Sequence, residues 1–240
     1  MTRLFIIAVA PGIALALAMY LTDRYDREPI HLLVKVFVFG CLSVIPTAIV
    51  ERFLLSFNIF TGVLGAAYTA FIVAGFTEEY FKRAVVLKTA YYHRAFNEKL
   101  DGIVYAVFSA LGFATIENIM YVVFRFTANP QVGLFRGILS VPAHMLFGVT
   151  MGYYLSLSRF VRNEEFRKVY LRRSLIIPMI LHGTFNFILM AQIPILMVLF
   201  IPFVIYLWMV NLRKLDEYAE ESKRTYETMN LPLYDDLDKR

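Results

Sequence analysis

Ala66-Ala-Tyr-Thr-Ala-Phe-Ile-Val-Ala-Gly-Phe76 leads through Thr77 into Glu78-Glu79-Tyr80-Phe81-Lys82-Arg83, and Ala84-Val-Val-Leu87 comes next. Four ionisable side chains thus lie within sequence that otherwise reads as the interior of a membrane helix. An ionised side chain at the bilayer centre costs about 2.5–3.5 kcal/mol on insertion scales. Four such groups facing lipid would make the segment untenable, so they must face a protein interior or a water-filled cavity. An ionisable cluster at that depth marks a functional site.

The rest of the chain supports this setting. Of its 240 residues 59% are hydrophobic, and the mean hydropathy is +0.60. The apolar residues form long blocks at about 4–21, 30–50, 61–92, 102–124, 137–158, 174–191 and 193–210. Each reaches or approaches the roughly 20 residues that a helix needs to cross the hydrocarbon core. A transmembrane barrel would show short alternating segments instead. The expected fold is therefore all-α: a polytopic membrane protein of seven to eight transmembrane helices around a polar cavity. The first block has Pro11-Gly12 at its middle and no clear small-residue cleavage site, so it reads as a span and not as a cleaved signal. The third continues into an interfacial stretch near Tyr91-Tyr92-His93-Arg94, with residues 53–60 at the opposite interface. Asp101 and Ser174 are suited to cap the fourth and sixth helices. Residues 1–210 form one transmembrane domain, and residues 211–240 form a charged tail, a solvated helix or a loose segment. Cys41 is the single cysteine, which excludes disulfides and Cys-based zinc sites and leaves it a packing role. Gly-rich phosphate loops and nucleic-acid motifs are absent, so no nucleic-acid partner is expected; the bilayer is.

Lys and Arg come after the first, third, fifth and seventh blocks, as at Arg24 and Arg27, Lys88 to Lys99, Arg159 to Arg173, and Arg213 onward. The other side has only Arg3, Arg52, Arg125 and Arg136. The positive-inside rule then places the N-terminus outside and the C-terminus in the cytoplasm. On this reading the net charge of +5 serves topology and not an acidic partner.

Further polar residues lie inside the spans: Glu117 in the fourth, His144 in the fifth, His182 and Asn186 in the sixth. At about 1.5 Å per helical residue, all of them and the Glu78–Glu79 pair could line one cavity about the midplane. His182 and Asn186 share a helix face, as do Glu78 with Lys82 and Glu79 with Arg83. Singly, each has a structural explanation: an ion-paired helix end, a buried carboxylate, a packing histidine, an asparagine bonding across helices. Their convergence on one cavity favours chemistry. Carboxylates and imidazoles hold zinc and move protons. A catalytic zinc takes three protein ligands and leaves a position for water, with a free glutamate as base. Without metal, a carboxylate can activate water directly, while His or Asn stabilises the oxyanion. Both schemes hydrolyse amides, and both can be built from these residues.

Glu78-Glu79-x-x-Lys82, Phe113-x-x-x-Glu117 and His182-x-x-x-Asn186 resemble the three motifs of the PrsW family of bacterial membrane proteases. Ala10-Pro-Gly-Ile-Ala-Leu15, Asp101-Gly-Ile-Val-Tyr105 and Gly112-Phe-Ala-Thr-Ile-Glu-Asn118 extend the likeness, as do His144, Gly148 and Met151-Gly152, up to about Arg213. Glu78-Glu79 through Arg83 also satisfies the Glu-Glu-x-x-x-Arg motif of the wider CAAX-protease superfamily of prenyl-protein endopeptidases and bacteriocin-immunity proteins. Those relatives carry His where this chain has Glu117, and a Glu there leans toward metal binding. PrsW-like chains end the third motif in Asp, where this chain has Asn186.

The resemblance implies an intramembrane protease of the bacterial cell membrane that makes the first (site-1) cut in a single-pass membrane protein such as an anti-sigma factor. It implies Glu78 and Glu79 as water activator and ligand, with zinc held among Glu79, Glu117, His144 and His182, or these acting as oxyanion partners. Asn186 would support His182, and Lys82 and Arg83 would hold the carboxylates ionised through opposite charge. Two other classes compete: a proton-coupled transporter using the same carboxylates as a relay, and a non-catalytic immunity-type membrane protein. Inverted repeats would favour the transporter, and none is visible.

Overall fold

The computed structural model describes residues 2–125, 131 and 135–229. The described residues form an all-helical array with no strand. Helix α1 spans Thr2–Thr22 and α2 spans Ile30–Leu55. Helix α3 is continuous through three pieces, Gly62–Ala67, a wider π-helical stretch at Tyr68–Phe76, and Thr77–Thr89. Helix α4 is Lys99–Arg125, α5 is Arg136–Phe160, α6 is Glu164–Ala191 and α7 is Pro194–Met229. All except α3, which carries the charge run, are long and apolar enough to cross a membrane. The architecture is that of a multi-pass membrane protein.

Two helix starts differ from expectation. Helix α4 begins at Lys99, after Glu98, so Asp101 lies inside the first turn and caps from there: its Oδ2 accepts from the backbone N–H groups of Asn97 and Glu98, both at 2.8 Å. Helix α6 begins ten residues before Ser174. Its cap is Asn163, whose Oδ1 accepts from the N–H groups of Glu165 and Phe166. A polar, charged first turn hid this start from a reading that tracked apolar runs.

Helix α4 is the centre of the molecule. It packs against α1, α2, α3, α5 and α7, and every residue from Leu100 to Thr115 is buried. Small residues permit this. A Cβ on Gly152 of α5 would come within 2.2 Å of the Gly102 carbonyl of α4, so the two backbones touch where no side chain intervenes. Without a hydrophobic drive between helices in lipid, such close packing is what holds them together.

Helix α7 has 36 residues, about 54 Å of helix against a hydrocarbon core of about 30 Å. Residues 211–229, expected as a solvated or loose tail, continue α7 without a break and dock on the bundle. Thr150 Oγ1 donates to Asn211 Oδ1 at 2.6 Å, Tyr218 stacks on Tyr153 with centroids 5.1 Å apart, and Lys99 pairs with Glu221 at 2.8 Å. Residues 230–240 of the expected tail lie outside the described residues.

Candidate active site

The wide π-helical stretch at Tyr68–Phe76 immediately precedes Glu78 and Glu79. Extra residues in a turn of this kind recur at functional sites, because they rotate the next turn of helix and re-aim its side chains. Here the stretch also lies flush against α6. A Cβ on Gly75 would meet the Met179 carbonyl at 2.9 Å, and one on Gly183 would meet the Phe71 ring at 2.2 Å. These two glycines let α3 and α6 approach until Glu79 and His182 hydrogen bond.

Lys82 sits at the hub and is fully buried. Its Nζ donates to Glu78 Oε2 at 3.0 Å and to Glu79 Oε1 at 2.9 Å, and it lies 2.9 Å from His144 Nδ1. An ammonium only donates, so Nδ1 is the acceptor and the His144 proton is on Nε2. That Nε2–H donates to Glu117 Oε2 at 2.9 Å. Arg136 Nη2 holds the same Glu117 oxygen at 3.0 Å. On the other side, His182 Nδ1–H donates to Glu79 Oε1 at 2.9 Å, leaving the Nε2 lone pair 4.0 Å from Glu78 Oε1. The imidazoles of His144 and His182 are nearly perpendicular, with centroids 5.1 Å apart, and Phe147 stacks on His182 at 4.9 Å.

Each histidine is thus held by a carboxylate on one ring nitrogen, with the other turned toward Glu78. Ligand atoms of Glu78, His144 and His182 all lie within 4.8 Å of one another. One carboxylate and two imidazoles are a zinc-type donor set. The carboxylate behind each imidazole is the outer-shell partner that metal-binding histidines regularly have. The 4.0 Å between Glu78 Oε1 and His182 Nε2 exceeds by roughly 0.6 Å the separation of two ligands on a tetrahedral zinc, so the two side chains would close slightly around an ion. The Lys82 ammonium already supplies a cation against the same donors. These residues fit a metal that takes over the His144 Nδ1 lone pair from Lys82 Nζ.

Of the residues expected at the site, the structure brings Glu78, Glu79, Lys82, Glu117, His144 and His182 together. Glu79 bonds His182 and Glu117 bonds His144, each on the ring nitrogen turned away from Glu78. Lys82 bonds both Glu78 and Glu79. Arg83 bonds elsewhere: its Nε donates to Ser174 Oγ at 2.8 Å and its Nη2 to the Leu171 carbonyl at 2.9 Å, which ties α3 to α6. Asn186 lines the cavity, one turn beyond His182.

That cavity is about 950 Å³ and is lined by Glu78, Glu117, His144 and His182. It reaches Leu55 near the end of α2, Arg125 at the end of α4, Arg136 at the start of α5 and Met190 near the end of α6. It therefore extends to the face where α1, α3, α5 and α7 begin, opposite the basic loops. Two further charged residues line the cavity. Glu51 falls just past the apolar block at 30–50, yet α2 continues to Leu55 and Glu51 lies one turn after Thr47 on the cavity wall. Arg136, a flanking charge in the sequence, bonds Glu117 and Asn118 Oδ1. The i, i+3, i+7 series Val44, Thr47, Glu51 was the available signal for the first; for Arg136 there was none.

The chain is similar to known proteins along most of its length. The model of the PrsW family of intramembrane metalloproteases matches residues 28–210. Protease PrsW of Clostridioides difficile (strain 630) is 41% identical over 225 residues, covering 93% of this chain and 94% of that protein. Protease PrsW of Bacillus subtilis (strain 168) is 38% identical over 206 residues, covering 86% and 91%. That of Geobacillus kaustophilus (strain HTA426) is 38% identical over 184 residues, covering 77% and 78%. No solved structure matches. With its buried Glu-His-His cluster, its helical membrane architecture and these relatives, the chain belongs to the PrsW family of intramembrane metalloproteases and is a membrane-embedded peptidase.

Proposed function

We propose that this peptidase makes the first cut in a single-pass membrane protein, an anti-sigma factor by the family resemblance, using a zinc ion held by Glu78, His144 and His182. The observation that carries the reading is the convergence of those three donors within 4.8 Å at the floor of the cavity. When bound, zinc would lower the pKa of its water to about 7 and polarise the scissile carbonyl. Glu79 holds the His182 tautomer through Oε1 and, lying behind the cavity lining, acts through that imidazole. Glu117 holds the His144 tautomer and is itself fixed by Arg136. Asn186 offers its amide N–H to the oxyanion. Lys82 balances the buried carboxylates. Residues 1–210 act as the protease domain in the bacterial cell membrane, with the N-terminus outside and the C-terminus in the cytoplasm. In that orientation the cavity admits an extended substrate segment from the outer side.

The test is purified full-length protein in proteoliposomes with a single-pass substrate. A chelator is expected to stop cleavage and zinc to restore it. Glu79→Gln is expected to lose about 10- to 100-fold in rate, the scale of a lost carboxylate behind a ligating histidine. Full activity in stoichiometrically metal-free protein would overturn the zinc assignment, and an uncut single-pass substrate would overturn the substrate class.

A further inference from the structure

A second concavity, about 480 Å³, lies outside the peptidase cavity, between α2 and α3 on the side of the basic loops. Its α2 wall is Lys35, Phe39, Leu42 and Pro46, and its α3 wall includes Phe81, Val85 and Lys88. On each helix these positions fall three or four apart, so each wall is one helix face. Lys35 is one turn into α2 and Lys88 one residue from the end of α3, so both ammonium groups stand at the mouth. From Lys35 to Pro46 is about 16 Å of helix, roughly half the ~30 Å hydrocarbon core, so the groove is as deep as one leaflet.

Its chemistry is divided by depth. The inner wall is apolar, and Phe39 and Leu42 are 42% and 50% exposed. The two hydroxyls that border it are already used: Ser43 Oγ donates to the Gly40 carbonyl and Thr89 Oγ1 to the Val85 carbonyl, both at 2.7 Å. A hydrocarbon chain would therefore strand no polar group there. At the mouth, neither Lys35 nor Lys88 has an ion pair or side-chain hydrogen bond among the described residues. Two unpaired cations above a dry, leaflet-deep slot are complementary to a single anion that carries an apolar chain. We propose that this groove is a binding site for an anionic phospholipid of the leaflet on the basic side, its headgroup phosphate between Lys35 and Lys88 and one acyl chain against Phe39, Leu42 and Phe81.

Native mass spectrometry of the purified full chain, titrated with phosphatidylglycerol or phosphatidylcholine, tests this. Retention of one phosphatidylglycerol in preference to phosphatidylcholine is expected. Each lysine near a membrane surface contributes enough for roughly a 5-fold effect, so K35A/K88A should weaken retention by roughly 30-fold. Leu42→Trp, which fills the slot and leaves both charges, should also weaken it. Lys168→Ala, an exposed lysine on the same side, should not. Equal retention of both lipids, or unchanged retention in K35A/K88A, would overturn the site. Loss in K35A/K88A but not in Leu42→Trp would reduce it to a surface charge effect and overturn the groove. A bound mass equal to a second copy of the chain, displacing lipid, would assign the groove to dimerisation instead.

Discussion

At the scale of single residues, Lys82 carries the greatest responsibility. It is a fully buried ammonium bonded to two buried carboxylates and one imidazole. Removing one partner of a buried charge network costs about 3–5 kcal/mol, because the charges left behind lose their compensation. Lys82→Met is expected to lower the thermal stability of the detergent-solubilised protein accordingly, and Glu79→Gln in the same chain should restore part of it. A double-mutant cycle on melting temperatures measures both. The ionisable residues of the site were legible from sequence because each stands out within an apolar block. Their hydrogen-bond partners were not. Whether Glu78 or Glu79 faces the cavity depends on the helix phase set by the π-helical stretch, which apolar periodicity does not reveal. Arg83 illustrates the same limit. Its spacing from Glu79 permits an ion pair, but Ser174 and the Leu171 carbonyl, 91 and 88 residues away in sequence, provide its bonds.

At the scale of elements, the site depends on how closely α3 and α6 approach. Gly183→Ala would place a methyl group 2.2 Å from the Phe71 ring, so either the ring or the helix must move. Overpacking of this kind costs about 1–3 kcal/mol. The variant is expected to insert normally but cleave poorly, as the Glu79–His182 bond lengthens, and Phe71→Ala should recover activity by vacating the space. Substrate cleavage by the single and double variants in the same membranes checks this. The helices themselves were readable from their apolar blocks, and only boundaries moved. Helix α2 ran on through Glu51, and α6 began earlier at a capped, charged turn. Both extensions carry charged residues, Glu51 and Arg52 in α2 and Glu164, Glu165, Arg167 and Lys168 in α6, so hydropathy alone ended the spans too soon.

At the scale of the whole molecule, the cavity and the basic loops occupy opposite faces. In intact cells, Met190→Cys in a Cys41→Ser chain is expected to react with a membrane-impermeant thiol reagent added outside, and Lys168→Cys only after permeabilisation. On the basic face the α1–α2 connection meets the start of α4. The Asp23 carboxylate accepts from the Glu28 N–H at 3.0 Å, and Tyr105 donates its hydroxyl to Glu28. Burial pushes Asp23 up to about 6 and Glu28 and Glu98 up to about 7, Asp26 adding to all three. Each carboxyl holds its proton more tightly folded than unfolded, so this contribution to stability is complete below pH about 4 and is lost as pH rises through about 6 to 7. Thermal denaturation should show a higher midpoint at pH 5 than at pH 8, and Glu28→Gln should flatten that difference.

The ion pairs within α3 have a consequence for biosynthesis. Lys82 reaches Glu78 and Glu79 from the same helix, at i,i+4 and i,i+3. When α3 leaves the ribosome, His144, His182 and Glu117 do not yet exist, but most of its charge is already neutralised along its own surface. The Glu78–Glu79–Lys82 group then meets the lipid with one net charge in place of three separate ones. The site therefore enters the membrane half assembled, and the histidines arrive later to a glutamate pair that is already in place.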